Sequence, residues 1–176
     1  MTKTKTKDLV LAGLLAAVIA VLAQISLPIG PVPFTLAVLG VFLAGLLLTP
    51  GWAMASIAVY IVIGAIGLPV FSGFAGGPAV LVGPTGGYIV GYFLMALLPS
   101  LAVKKQMPTW AIAVATLLGL CCCYALGTAW FMFITGNGLA ASLGMCVTPF
   151  LIPDLVKVAV AVALSGALRK RLAHIG

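Results

Sequence analysis

Six apolar stretches follow one another along this chain, separated by short segments rich in glycine, proline or lysine. Crossing the hydrocarbon core of a bilayer takes about 20 residues of helix, so these stretches are typical of membrane spans. The pattern predicts an all-α integral membrane protein with six transmembrane helices in one domain, residues 1–176. The predicted helices cover residues 8–27, 34–48, 52–66, 84–103, 109–134 and 149–172.

Proline and glycine clusters separate the predicted helices. Pro28, Pro31 and Pro33 end the first helix, because proline cannot continue a regular helix. The segment between the third and fourth helices, residues 67–83, is apolar but rich in glycine. Irregular backbone at membrane depth must be buried in protein or line a cavity. We therefore predict a structured external loop here, packed back on the protein, and a second loop at residues 135–145.

Charge is scarce and unevenly placed. Only 6% of the residues are charged and 64% are hydrophobic, whereas a soluble domain carries about 25% charged residues. With the N-terminus in the cytoplasm, six crossings put eight of the nine basic residues on the inside, as the positive-inside rule requires. We expect both termini to be cytoplasmic and no nucleic acid to be bound. The eight residues are Lys3, Lys5, Lys7, Lys104, Lys105, Arg169, Lys170 and Arg171.

The ninth basic residue, Lys157, lies inside the last predicted helix. It follows Asp154 by three positions, so the two side chains share one helix face. Charges at membrane depth are costly and usually face a cavity that serves a substrate or an ion. The pair favours a binding role near the external face. The alternative is a structural salt bridge that orients the helix.

The chain lacks the usual groups for catalysis. It contains no glutamate, its single histidine is His174 near the C-terminal end, and it has no Walker-type phosphate loop. Cys121, Cys122 and Cys123 are consecutive, so on a helix they point in three directions and cannot share a metal ion. We expect no enzyme activity, no metal site and no cofactor.

A small-molecule pocket fits the remaining pattern. Aromatic residues, a glycine-rich turn and the charge pair all fall on the predicted external side, and ligand sites are mostly apolar with a few convergent polar groups. Taken singly, each aromatic is better explained by packing or as a membrane-interface anchor, and only its coincidence with the loop and the charge pair favours a pocket. The candidates are Phe71, Phe74, Thr85, Gly86, Gly87, Tyr88, Tyr92, Asp154 and Lys157.

The first helix carries Ala12, Ala16 and Ala20 at four-residue spacing. Small residues at this spacing let another helix come close. The partner helix is either part of a second protein or part of the same bundle.

Several motifs together resemble the BioY family, the biotin-binding membrane subunits (S-components) of energy-coupling-factor (ECF) transporters. The resemblance covers nearly the whole chain in the same order and spacing. One departure is Ala37, where the family commonly has glutamine. The motifs are GAIGLPVF at residues 64–71, the glycine pair at 76–77, GPTGGY at 83–88 with a further glycine at 91, and IPDLVK at 152–157, with PVPFT at 31–35 before the second helix.

This resemblance implies a six-helix S-component fold and high-affinity capture of biotin near the external face of a bacterial plasma membrane. It implies that the first helix docks, through Ala12, Ala16 and Ala20, on a membrane coupling subunit driven by two ATPases. Asp154 and Lys157 would meet the polar groups of biotin, with the glycine-rich loop as a lid. The implied biotin-site residues are Thr35, Phe71, Phe74, Gly76, Gly77, Thr85, Gly86, Gly87, Tyr88, Tyr92, Asp154 and Lys157.

Three other functions compete with this one. A stand-alone ion-coupled carrier would use Asp154 as a proton site, but the chain is short for alternating access and lacks broken-helix repeats. A non-transporting scaffold would use the charge pair as a structural salt bridge and would bind no vitamin. An intramembrane enzyme is disfavoured by the missing nucleophile and base pairs.

Overall fold

The computed structural model describes residues 3–174, without the side chains of residues 3–5, 170 and 172–174. The predicted cytoplasmic charges of Lys3, Lys5 and Lys170 and the tail position of His174 therefore lie outside the described side chains. Within residues 3–174 the chain forms eight α-helices and one two-stranded hairpin. The elements are α1 (Lys3–Gln24), β1 (Ser26–Leu27), β2 (Phe34–Thr35), α2 (Ala37–Leu47), α3 (Pro50–Ala65), α4 (Pro78–Val82), α5 (Gly86–Lys104), α6 (Thr109–Thr135), α7 (Leu139–Cys146) and α8 (Thr148–His174).

All six predicted helices are present, as α1, α2, α3, α5, α6 and α8. Four of them, α1, α5, α6 and α8, are long and apolar enough to cross a membrane. The other two, α2 and α3, are shorter apolar helices of 11 and 16 residues. The protein is a helical membrane protein with the predicted fold class.

The second predicted loop, residues 135–145, is mostly helix, so the prediction was wrong for this segment. Gly136 ends α6 in the left-handed conformation (φ 72°), which glycine adopts without strain. The chain then re-enters a helix, α7. Leucine, alanine and methionine are strong helix formers, and they outweigh the effect of Gly144 inside this short helix.

A small hairpin replaces the first turn of the second predicted helix. Ser26 pairs with Thr35 and Leu27 with Phe34 in antiparallel register. The intervening prolines lack the N–H that a longer ladder would need, which keeps each strand to two residues. The hairpin brings Phe34 and Thr35 to the interior of the bundle.

The short helix α2 lies at the centre of the bundle and contacts α1, α3, α5 and α8. A methyl group added at Gly45 would fall 2.4 Å from the carbonyl oxygen of Ala96 on α5, so only glycine allows this approach. The extensive α5–α6 contact depends on similar close packing, since a methyl at Gly91 would lie 2.8 Å from Sγ of Cys123. Small residues are the usual means of close helix packing in membranes.

Residues 67–83, here called the cover, fold back on the protein as predicted. The cover contains a 3₁₀ turn (Ser72–Phe74) and the helix α4. Phe71 forms an isolated bridge with Ala75 and is only 2% exposed. The N–H of Gly77 donates to the carbonyl of Gly64 at 2.7 Å. The cover is thus attached to the end of α3 and inserts one aromatic ring into the bundle.

Candidate functional site

A cavity of about 420 Å³ lies inside the bundle. Its walls come from α1, α2, α3, α5, α6, α7 and α8, and residues of the hairpin and the cover line it as well. Most of the lining is apolar or aromatic. The volume and the chemistry are those of a small-molecule site.

The charge pair predicted from the sequence faces this cavity. Nζ of Lys157 donates to Oδ1 of Asp154 at 2.7 Å, and both residues are at most 5% exposed. The same ammonium donates to the backbone carbonyl of Thr35 at 2.7 Å and lies 3.8 Å from the centre of the Phe34 ring. Lys157 therefore joins α8 to the hairpin as well as to Asp154.

The second carboxylate oxygen of Asp154 has its own partner. The hydroxyl of Tyr124, on α6, donates to Oδ2 at 2.6 Å. Such a short hydrogen bond to an ionised acceptor is among the stronger kinds in proteins. Asp154 is thus held from two sides, by its own helix and by α6. The Asp154 carboxylate, the Lys157 ammonium, the Tyr124 hydroxyl and residues Phe34 and Thr35 are together called the polar wall.

Aromatic rings from α3, the cover and α5 also line the cavity. Tyr60 on α3 packs edge-on against Phe71 of the cover, with ring centres 5.5 Å apart. Tyr92 on α5 lies 6.5 Å from Tyr60. Edge-on and tilted arrangements are the favourable ones for aromatic pairs. These rings give this part of the cavity an aromatic lining.

Two side chains outside the cover connect it to the bundle. Oε1 of Gln24, at the end of α1, accepts the backbone N–H of Phe74 at 2.9 Å, and Nε2 of Gln24 donates to the carbonyls of Ala20 and Pro69. At the other end, Nε1 of Trp130 on α6 donates to the carbonyl of Gly83 at 2.9 Å. The position of the cover therefore depends on α1 and α6.

Seven of the predicted site residues line the cavity, and five do not. Residues of the hairpin, the cover, α5 and α8 meet there although they are far apart in sequence. The seven are Thr35, Phe71, Thr85, Tyr88, Tyr92, Asp154 and Lys157.

The other five lie outside the lining and serve the backbone around it. Phe74 is 71% exposed and points away from the cavity. Gly86 and Gly87 allow close packing, since a methyl at Gly87 would fall 2.2 Å from Cβ of Trp130. Gly76 packs against the Leu68 carbonyl, and Gly77 adopts a positive φ of 92°. These glycines shape the cover and the start of α5.

The small residues of α1 face inward. Ala12 and Ala16 are each 4% exposed and belong to the core, and Ala20 is partly buried against it. Because α1 packs on α2 and α3, these alanines serve contacts within the bundle. Gly13 and Ala17 are exposed small residues of α1, and the docking of this helix on another subunit stays a prediction.

The sequence analysis did not predict several residues of the cavity wall. Tyr124 and Tyr60 stand alone within apolar helices, and Phe34 and Phe150 resemble ordinary packing residues. A tyrosine in the middle of an apolar helix is the one clue that the sequence offered, since its hydroxyl needs a partner there. Ala37, where the family commonly has glutamine, also lines the cavity.

Among the side chains that the structure describes, no three histidine, cysteine or acidic residues are arranged so that they could hold a metal ion. Two thiols, Cys123 and Cys146, line the cavity. Sγ of Cys123 donates to the carbonyl of Tyr88 at 3.5 Å.

Comparison with known proteins places this arrangement in a family. The model of the BioY family matches residues 1–174. The chain is 42% identical to the "Probable biotin transporter BioY" of Pyrococcus horikoshii, covering 94% of this chain and 98% of that protein. It is 41% identical to the "Biotin transporter BioY" of Thermotoga maritima, covering 93% and 96%.

The fold has a counterpart among solved structures. The crystal structure of the S-component for biotin from an ECF-type ABC transporter superposes with a TM-score of 0.90. The match covers 97% of this chain and 95% of that one, at 30% sequence identity. Taken with the match of the family model to residues 1–174, this shows that the chain belongs to the BioY family.

Proposed function

We propose that this protein is the biotin-capturing subunit of an ATP-driven vitamin transporter. The observation that carries the proposal is the buried Asp154–Lys157 pair, which faces an apolar cavity of about 420 Å³ in a member of the BioY family. The relatives named above are biotin transporters, and the matching crystal structure is a biotin S-component.

The chemistry of the cavity suits biotin. Biotin combines a urea group, an apolar fused ring with a sulfur atom, and a carboxylate tail. The carboxylate of Asp154 can accept a ureido N–H, and the rings of Tyr60, Phe71 and Tyr92 can flank the fused rings. A site built on such polar groups rejects analogues that leave them unpaired. The proposed contacts are the seven cavity-lining residues Thr35, Phe71, Thr85, Tyr88, Tyr92, Asp154 and Lys157.

Transport requires partners. The chain contains no phosphate-binding loop, so ATP hydrolysis falls to two ATPases, which a membrane coupling subunit connects to this protein. The positive-inside rule supports cytoplasmic termini and a cavity toward the outer face of the plasma membrane. In this arrangement the protein collects biotin outside the cell, and the partner subunits drive its release inside.

The test is a binding measurement on the purified protein. The wild type should bind biotin tightly in detergent by isothermal titration calorimetry, and Asp154→Asn should weaken binding by about 100-fold. Hydrogen bonds to charged groups contribute about 1.5–3 kcal/mol each, and every 1.4 kcal/mol is a factor of ten. Asp8→Asn is the matched control, because it removes the same charge at the first helix, outside the cavity lining.

Two outcomes would contradict the proposal. One is that the wild type binds no biotin and yields none by mass spectrometry after purification. The other is uptake of labelled biotin by this chain alone, abolished by a protonophore and indifferent to the ATPases, which would favour an ion-coupled carrier.

A further inference from the structure

The carboxylate of Asp154 is held at both of its oxygens by donors from different helices. Oδ1 accepts from Lys157 on α8 at 2.7 Å, and Oδ2 accepts from the Tyr124 hydroxyl on α6 at 2.6 Å. Asp154 is 3% exposed. Because the residue is almost fully buried, these two donors set the orientation of the group.

The donor on the Lys157 side is itself fixed. Its ammonium also donates to the carbonyl of Thr35 and lies against the face of Phe34. Two of the three N–H groups of the lysine are thus used within the protein. Lys157 therefore holds Oδ1 of Asp154 in a fixed position.

A hydrogen bond at Oδ1 alone restrains the carboxylate loosely, because a hydrogen bond tolerates some misalignment and the group can still turn partly about its bond to the β-carbon. A second donor on the other oxygen narrows this freedom. Each carboxylate oxygen has about two acceptor positions, so Oδ1 and Oδ2 each keep one after Lys157 and Tyr124 have bound. A remaining position aimed into the cavity is then fixed before a ligand arrives, which strengthens binding by lowering the entropy lost on association.

We propose that Tyr124 is a positioning residue that locks the Asp154 carboxylate toward one ureido N–H of the ligand. Tyr124 thereby sets the selectivity of the site for an unsubstituted ureido nitrogen. This inference rests on the proposed function, and it assigns to α6 a role in recognition that the charge pair on α8 does not perform alone. A competing role for the same hydroxyl is a direct hydrogen bond to the ligand.

The experiment measures, for each variant, the ratio of its affinities for biotin and for analogues of biotin. Two biotin analogues, each methylated at one ureido nitrogen, are titrated against wild type, and the weaker binder identifies the nitrogen that faces Asp154. Tyr124→Phe removes one oxygen atom and keeps the ring. We expect it to weaken biotin binding about tenfold, since one hydrogen bond to a charged group is lost. We also expect the preference for biotin over the weaker analogue to fall by at least about fivefold, because the freed carboxylate can turn away from the methyl group.

The matched control is Thr116→Val, which removes a buried hydroxyl from the same helix, α6, outside the cavity lining. The Thr116 hydroxyl donates to the carbonyl of Ile112 at 2.8 Å and not to Asp154, so this variant should keep the wild-type preference. The titrations are repeated in membrane vesicles, so that the ratio of the affinities for biotin and for the weaker analogue can also be measured for a variant that is unstable in detergent.

The outcomes separate this inference from the proposed function. If wild type binds no biotin, the proposed function fails. If wild type binds biotin and Asp154→Asn weakens it, but Tyr124→Phe keeps the wild-type preference, only the positioning role is overturned. An equal loss of affinity for biotin and for both analogues would instead assign the hydroxyl to a direct ligand contact.

Discussion

The polar wall and the cover, two parts of the cavity lining, are built by opposite means. In the polar wall, the ammonium of Lys157 and both oxygens of Asp154 have partners within the protein at 2.6 to 2.7 Å. The cover is made of short backbone turns with positive φ at Gly67, Gly73, Phe74 and Gly77. It is tied to the helices by neutral hydrogen bonds with the side chains of Gln24 and Trp130 and with the backbone of Gly64.

This difference separates recognition from access. Charges buried at membrane depth are tolerated only when they are paired, so the polar wall must stay assembled whether or not a ligand is present. Moving the cover would break a few neutral hydrogen bonds and would expose the ring of Phe71 and the apolar side chains packed beside it, but it would strand no charge. We therefore infer that the polar wall determines what binds and the cover determines how fast a ligand enters and leaves.

The largest effect should follow from breaking the charge pair on one side only. Lys157→Met leaves the Asp154 carboxylate unpaired, which typically costs about 3–5 kcal/mol of stability, so the thermal midpoint should fall strongly. Adding Asp154→Leu removes both charges and should restore most of the midpoint while biotin binding stays absent. Thermal unfolding followed with a thiol-reactive dye measures the first effect and calorimetry the second. If the double variant were as unstable as Lys157→Met, the loss of stability would come from losing the ion pair itself and not from leaving one buried charge uncompensated.

A smaller effect is expected when the aromatic ring of the cover is displaced. A methyl group at Gly64 would lie 2.2 Å from the ring of Phe71, so Gly64→Ala should push this ring out of the bundle. Overpacking of this kind costs about 1–3 kcal/mol, and biotin release should accelerate about tenfold. Gly51→Ala on the same helix is the control, because nothing lies within 4 Å of the added methyl. Equal release rates in the two variants would mean that Phe71 does not retain the ligand.

The smallest effect should come from one connection of the cover to α1. Gln24→Ala removes the acceptor for the Phe74 N–H and the donor to Pro69. A neutral hydrogen bond contributes about 1 kcal/mol, so biotin should dissociate about fivefold faster with an unchanged thermal midpoint. Gln24→Glu keeps an acceptor for the Phe74 N–H, so its rate of biotin dissociation should fall between those of the wild type and Gln24→Ala. Dissociation of labelled biotin into an excess of unlabelled biotin gives the rates, and identical rates would exclude a role for Gln24 in holding the cover.

Much of the fold could be predicted from the chain because the bilayer imposes a simple rule on it. Apolar length and proline positions located α1, α3, α5, α6 and α8 to within a few residues. The short helix α7 was missed, since Gly136, Gly138 and Gly144 outweighed its leucine and alanine content in the prediction.

The site was predicted only in part. Asp154 and Lys157 are three residues apart on one helix, so local geometry alone brings them together. Tyr124 is 30 residues from Asp154, and Thr35 is 122 residues from Lys157. No spacing rule relates such positions, so the sequence could suggest the pair but not the partners that complete it.

The sequence by itself determined the solvent of this protein, its six predicted helices and the pairing of Asp154 with Lys157, because each depends on composition or on neighbours along the chain. Only the tertiary structure decided that Ala12 and Ala16 face inward, that Gly86 and Gly87 support packing, and that Tyr124 holds Asp154. These outcomes depend on how each helix is rotated about its axis against the others. In an apolar bundle that rotation is set by close packing across the whole molecule, which no single segment encodes.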